Sequence, residues 1–331
     1  MAVDPSKWVA EFKSAIKTRN KRGILRAGYG LYLGGWYTLS SRKPFGQNIF
    51  SKDWDALIIL DACRTDAMTE VAPEYDFIPE VSSTWSVGSS SPEWTINTFD
   101  EKWINKIEKT GYITANGYSK RILGDRFFPP DHNTVPFSFP NWSVISEDEL
   151  LFIDHCWQYG HDEELGNVDP EYVTNSAIYH YQEYNPEKMI VHYQQPHTPY
   201  MARAKKENRE LAEVEQNPLV KLKQGYDRQE IWDLYKDNLR LALNEVKVLL
   251  NNIDYDTVVI TADHGDAFGE FGFYGHLGGF LHPSVRKVPW IETGSLNTLP
   301  EEKSQRNVTP PPSESDNISN EEQLRKLGYL V

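Results

Sequence analysis

Four short runs of consecutive apolar residues punctuate this chain beyond residue 50, and they constrain its fold more than any other feature. They are Ala56-Leu-Ile-Ile-Leu60, Gly111-Tyr-Ile-Thr-Ala115, Met189-Ile-Val-His-Tyr193 and Thr257-Val-Val-Ile-Thr261. A strand with one wet face alternates apolar and polar residues, whereas a run that is apolar throughout has both faces covered, as in a parallel sheet between helices. The crossover such a sheet needs is also visible. Ile231, Leu234, Tyr235, Leu239, Leu243, Val246 and Leu250 mark one stripe of a helix that leads into the last run. The expectation is an α/β fold, a mostly parallel sheet sandwiched between helices, with ligands bound beyond the carboxyl ends of the strands.

The rest of the chain divides around that core. Residues 1–49 form a basic N-terminal arm, 50–293 the α/β domain, and 294–331 a Pro/Ser linker with a terminal helix. Within the domain, residues 201–228 are charged and lack strand signals, which reads as an insertion or lid. Net charge is −14, from 34 basic and 48 acidic residues, and this argues against general binding to nucleic acid, which needs a basic face. The exception is the arm, where seven basic residues between Lys7 and Arg26 face a single acid, Glu11, with Trp8, Phe12 and Ile16 at helical spacing. Such an arm fits peripheral contact with an anionic membrane surface, or a solvated helix docked on the body. Two cysteines, Cys63 and Cys156, make no disulfide framework, and no run reaches the ~18 to 20 apolar residues of a membrane span. A cytoplasmic protein is expected, at the inner membrane face if the arm engages lipid.

Chemistry is expected where the runs end. The first leads into Asp61-Ala-Cys-Arg64, and the last into Asp263-His264-Gly265-Asp266, followed by His276 and His282. A carboxylate beside an imidazole at a strand end suits a divalent ion, and three histidines in nineteen residues, of nine in the chain, are too many for core packing. The third run leads into His197, held between Pro196 and Pro199 in a stiff loop. A hydroxyl-rich stretch from Ser82 to Ser91 precedes Pro92 and Glu93, which read as the start of a helix with Ser91 as its cap. A hydroxyl there has a helix N-terminus beside it, a setting that favours an alkoxide and an incoming anion.

In this order the motifs resemble the alkaline phosphatase superfamily. The match is to its sulfatase-like branch, with arylsulfatases, lipoteichoic acid synthases and phosphoethanolamine transferases. Leu57-Ile-Ile-Leu-Asp61-Ala-Cys-Arg64, Gln195-Pro-His197-Thr-Pro-Tyr200 and Val258-Val-Ile-Thr-Ala-Asp263-His264-Gly265-Asp266 carry the resemblance. It implies an alkaline phosphatase-like fold and a metal-dependent hydrolase or transferase of phosphate or sulfate esters. The substrate would be an anionic ester, glycan or lipid linked in some members, and the reaction would pass through a covalent seryl intermediate. The resemblance assigns Asp61, Ser89, Asp263 and His264 to one divalent ion, manganese or zinc rather than calcium. Ser89 is the nucleophile, with Ser86 as the alternative. His197 and His276 serve catalysis and, with Arg64, substrate binding. The competing reading is a non-catalytic relative that binds an anionic glycan or lipid head group.

Overall fold

A computed structural model describes residues 5–129, 135–296 and 308. All four apolar runs are strands: β1 (Ala56–Leu60), β3 (Thr110–Thr114), β7 (Lys188–Tyr193) and β8 (Val258–Thr261). Three more join their sheet: β2 (Ser82–Trp85), β4 (Phe152–His155) and β11 (Lys287–Thr293). The order is β2-β11-β8-β1-β7-β3-β4, and β11 alone runs against its neighbours. Two small hairpins lie outside the sheet, β5 (His161–Asp162) with β6 (Asn167–Val168), and β9 (Ala267–Phe268) with β10 (Tyr274–Gly275).

The continuous apolar character of β1 has a direct cause. Ala56, Ile58 and Leu60 point into one core, shared with the long helices on that face, while Leu57 and Ile59 point into a second core on the other. Each of the five side chains is essentially inaccessible to water. Burying a Leu or Ile in this way is worth roughly 1.5–3 kcal/mol, so neither face tolerates a polar residue.

Helices α1 (Pro5–Lys17) and α2 (Lys21–Ser40) form the N-terminal hairpin. On the body are α3 (Thr65–Val71), α4 (Ser91–Thr98), α5 (Pro170–Tyr184), α6 (Ala202–Glu207) and α7 (Arg228–Leu250). The last realises the stripe expected over Ile231–Asn251. The segment expected as a lid is folded into α6 and two short helices, Glu213–Gln216 and Pro218–Lys223, with Met201, Ala204 and Leu222 buried. The expected C-terminal helix lies outside the described residues. No helix among those described is long and apolar enough to cross a membrane.

Candidate active site

Strand register builds the site. Ile59 of β1 pairs with Thr261 of β8, so two residues further on Asp61 and Asp263 leave adjacent strands side by side. With His264 they form a fully buried trio whose ligand atoms lie within 4.8 Å of one another. The turn that presents His264 depends on Gly265, because a Cβ there would come 2.3 Å from the Ser284 carbonyl oxygen.

Each member is aimed by its outer partners. Asp263 Oδ1 accepts from the backbone N–H groups of Ala62 (3.1 Å) and His264 (2.8 Å), which leaves Oδ2 facing the cluster. Asn116 Nδ2 donates to Asp61 Oδ2 at 2.6 Å, while Asp61 Oδ1 is buried without a partner. His264 Nδ1 lies 3.0 Å from the Gly265 carbonyl. A carbonyl only accepts, so Nδ1 carries the proton and the Nε2 lone pair points inward. It lies 3.7 Å from Asp61 Oδ1 and 3.4 Å from Asp263 Oδ2.

The hydroxyl that reaches this cluster belongs to Ser91. Its Oγ donates to Asp263 Oδ2 at 2.8 Å and lies 3.2 Å from His264 Nε2. The expected nucleophile Ser89 faces away: its hydroxyl contacts Glu93 Oε2 (2.7 Å) and the Leu277 carbonyl (2.8 Å), and accepts from Phe280 N–H. The Ser86 hydroxyl does not face the cluster either: it donates to the Asp263 backbone carbonyl and accepts from Gly88 N–H. The sequence placed Ser91 as the helix cap. In the structure Ser90 is the extended cap residue and Ser91 the first residue of α4, a shift that turns the Ser91 hydroxyl toward Asp263. Gly88 lets the preceding loop lie against α4, because a Cβ would sit 2.3 Å from the Trp94 nitrogen.

The guanidinium of Arg64, expected at the substrate, is occupied. It makes a two-pronged pair with Asp66 (2.6 and 2.9 Å) and reaches Glu270 (2.8 Å) and the Asp266 carbonyl (2.9 Å). With its donors so engaged it ties the turn after Asp266 to the start of α3.

His197 and His276 do converge on the site. Ring centroids of His276 lie 4.1 Å from His264 and 5.3 Å from His197. His276 Nδ1 bonds Asp266 Oδ1 at 2.7 Å, and His264, Asp266 and His276 form a second trio of possible ligands. Electrostatics separates the three rings. Burial, followed by the proximity of His276, pushes His264 well below the ordinary histidine pKa and lowers His197 as well. Burial also opposes charge on His276, yet Asp266 and Asp263 together hold its pKa above the usual value.

Sequence reasoning missed His192, Asn116 and Asp266. His192 sits on β7 with Nε2 3.9 Å from Asp61 Oδ2 and 4.0 Å from Asp263 Oδ2, and that nitrogen has no hydrogen-bond partner. Burial drives its pKa down to about 4, so the ring is neutral, and its Nδ1 lies 2.9 Å from the Tyr112 hydroxyl. A lone histidine inside an otherwise apolar strand was the available signal.

No family model matches the chain, and no curated protein is significantly similar in sequence. Among solved structures the chain is similar to the integral membrane lipooligosaccharide phosphoethanolamine transferase A of Neisseria meningitidis, at 13% identity and a TM-score of 0.49. That match covers 88% of this chain and 58% of the transferase, so the chain spans less than two thirds of that protein. The C-terminal periplasmic domain of phosphoethanolamine transferase EptC from Campylobacter jejuni matches at 14% identity and a TM-score of 0.44, covering 73% of this chain and 78% of the domain. A putative sulfatase from Bacteroides thetaiotaomicron matches at 13% and 0.42, covering 73% and 65%. The cytoplasmic location expected from the sequence is corrected here, because similar transferase domains, EptC of Campylobacter jejuni and of Escherichia coli, are periplasmic.

Proposed function

We propose that this chain is an enzyme that transfers or hydrolyses phosphate or sulfate esters with a divalent ion, through a covalent intermediate on Ser91. The observation that carries the reading is the Ser91 hydroxyl, 2.8 Å from Asp263 Oδ2 and 3.2 Å from His264 Nε2 at the first turn of α4.

The donor set fits a cation. Burial, followed by the charge of Asp263, raises the Asp61 pKa well above the ordinary value, the sign of two carboxylates held together without a counter-charge. Two buried atoms, Asp61 Oδ1 and His192 Nε2, lack partners beside them. Asp61, Asp263, His264 and Ser91 would hold the ion, and the imidazole nitrogen favours manganese or zinc over calcium. When bound, such an ion lowers the pKa of a coordinated hydroxyl and offsets charge on the transferred group.

The residues then divide the work. Ser91 Oγ releases its proton to solvent and attacks phosphorus or sulfur in line with the ester oxygen, so that the new bond forms as the ester bond breaks. The helix N-terminus favours the negative charge gathered there. His276, charged through Asp266, delivers the proton on Nε2 to the departing alkoxide. In the second half, neutral His276 takes a proton from water or an alcohol, which attacks the seryl ester. Ser91 leaves and regains a proton from solvent. His197 stays neutral beside His276, so the two rings do not compete as acids.

The test is to quench turnover of p-nitrophenyl phosphate or sulfate in acid and map the modified peptide by mass spectrometry, alongside metal analysis of the purified protein. A phosphoryl or sulfuryl group on Ser91 is expected. Modification at Ser89, or turnover by protein stripped of metal, would overturn the assignment.

A further inference from the structure

The seven basic residues between Lys7 and Arg26 and the apolar outer face of α2 play no part in the chemistry above. Every one of those side chains is exposed, and none forms an ion pair among the described residues. Seven unpaired cations against one acid, on a protein of net charge −14, form a patch of opposite sign to the rest of the molecule.

Helix α2 continues this patch. It docks on the body through Ala27, Gly30, Leu33, Gly34 and Tyr37, and an ordinary docked helix would then show water a polar back. This one does not: Leu25, Gly28, Tyr32, Gly35 and Leu39 make an uncharged exposed stripe, with Leu25 73% and Leu39 70% accessible. Between Ile24 and Leu39 the only charge is Arg26. A helix apolar on both sides has one face still unburied.

The stripe runs into the rim of the candidate active site. Tyr29 and Tyr32 donate their hydroxyl protons to the carbonyls of Gly278 and Gly279, in the loop that follows His276. That loop exposes Leu277 and Leu281, and Phe280 packs on Phe273 at 4.7 Å between ring centroids. Nearby Phe271 is 86% accessible. Cationic hairpin, apolar helix back and apolar rim are thus joined by contacts.

We propose that this surface docks on an anionic lipid bilayer, with α2 lying in the interfacial plane and the active-site mouth turned to the membrane. The chemistry of the partner follows from the two components. Lysine and arginine near an anionic surface attract it, and leucine and aromatic side chains enter the headgroup boundary. A soluble polyanion would satisfy the charges and leave the leucine stripe and Phe271 in water.

Co-sedimentation of the full chain with phosphatidylcholine vesicles, with and without phosphatidylglycerol, tests the proposal. Binding is expected only with the anionic lipid. It should weaken at least tenfold in a Lys17→Gln, Lys21→Gln, Arg22→Gln, Arg26→Gln variant, and separately in Leu25→Ser, Leu39→Ser, which keeps every charge. Equal binding to both vesicles, no binding to either, or anionic binding undiminished by the leucine substitutions overturns it, the last identifying a general polyanion surface. Circular dichroism checks that each variant is folded. Turnover of a soluble p-nitrophenyl ester by the same proteins keeps the two readings apart, because docking without turnover would defeat the proposed chemistry and leave the membrane surface standing.

Discussion

Two buried carboxylate clusters lie on either side of the turn that leads into α4, and they balance charge in opposite ways. Glu93 is fully paired. Arg286 reaches it at 2.5 Å, Trp36 Nε1 donates at 2.7 Å, and the backbone N–H groups of Ser89 and Gly279 add two more bonds. Burial opposes its charge, yet Arg286 and these donors hold its pKa below the usual value. Asp61, a short distance away, has an unpartnered oxygen and Asp263 as its neighbour, and its pKa moves the other way. The two serines of the turn sort between them, Ser89 to Glu93 and Ser91 to Asp263. A buried carboxylate with its own guanidinium is a finished structural joint, whereas a pair of buried carboxylates with no guanidinium or ammonium beside them is a candidate place for a cation.

The sharpest way to break this contrast is to remove the serine on the reactive side. Ser91→Ala should lower kcat/KM at least ~1000-fold, equivalent to about 4 kcal/mol of transition-state stabilisation. Stability should fall only by the cost of one buried hydrogen-bonding group, about 1–2 kcal/mol, so the variant stays folded. A residual rate within tenfold of the parent would show that Ser91 is not the nucleophile.

Stability should separate the clusters next. Glu93→Gln leaves the Arg286 guanidinium buried beside a neutral amide, and urea unfolding should report a loss of about 3–5 kcal/mol. Asp61→Asn, compared with the parent in chelator, should be neutral or stabilising, since it removes one of two repelling charges while Asn116 can still be hydrogen-bonded. An equal loss from both substitutions would mean that Asp61 has a structural counter-charge after all.

How much of this was legible beforehand follows the same physics. Strands β1, β7 and β8 stood out because both of their faces are buried, and Asp61, Asp263 and His264 stood out because they end such runs. Strand β2 escaped notice because its Ser82-Ser-Thr sequence pairs with β11 while staying largely exposed. Strand β11 escaped because Lys287, Pro289 and Glu292 break its apolar pattern. The choice between Ser89 and Ser91 depends on where α4 begins, a matter of one extended residue, Ser90, within a run of three serines. The bond from Arg64 to Glu270 was not legible because the two are 206 residues apart in the chain, and no local pattern announces a pair at that separation.

The pH dependence should also run in opposite directions in metal-free protein. A raised folded-state pKa, as at Asp61, contributes stability that is complete below the unfolded value, near 3.8, and is lost as pH rises through the folded value. A lowered one, as at Glu93, contributes stability present above its ordinary value near 4.5 and lost as pH falls through the depressed value. The gain from Asp61→Asn should therefore grow as pH rises from about 4, and the loss from Glu93→Gln should shrink as pH falls below about 4. Urea titrations of the two variants against the parent across that range measure both slopes, and parallel slopes would remove the distinction between the clusters.

The smallest effect belongs to Ser89→Ala. It deletes a hydroxyl that touches Glu93, the Leu277 carbonyl and Phe280 N–H, so the cost is that of one buried hydrogen-bonding group, about 1–2 kcal/mol. Glu93 keeps Arg286, Trp36 and two backbone donors, which limits the damage to the joint. Because the hydroxyl faces away from Asp263, turnover should stay within about tenfold of the parent, or 1.4 kcal/mol. A collapse of activity in this variant with the fold intact would move the nucleophile back to Ser89, and would require the turn before α4 to rearrange by two residues when substrate binds.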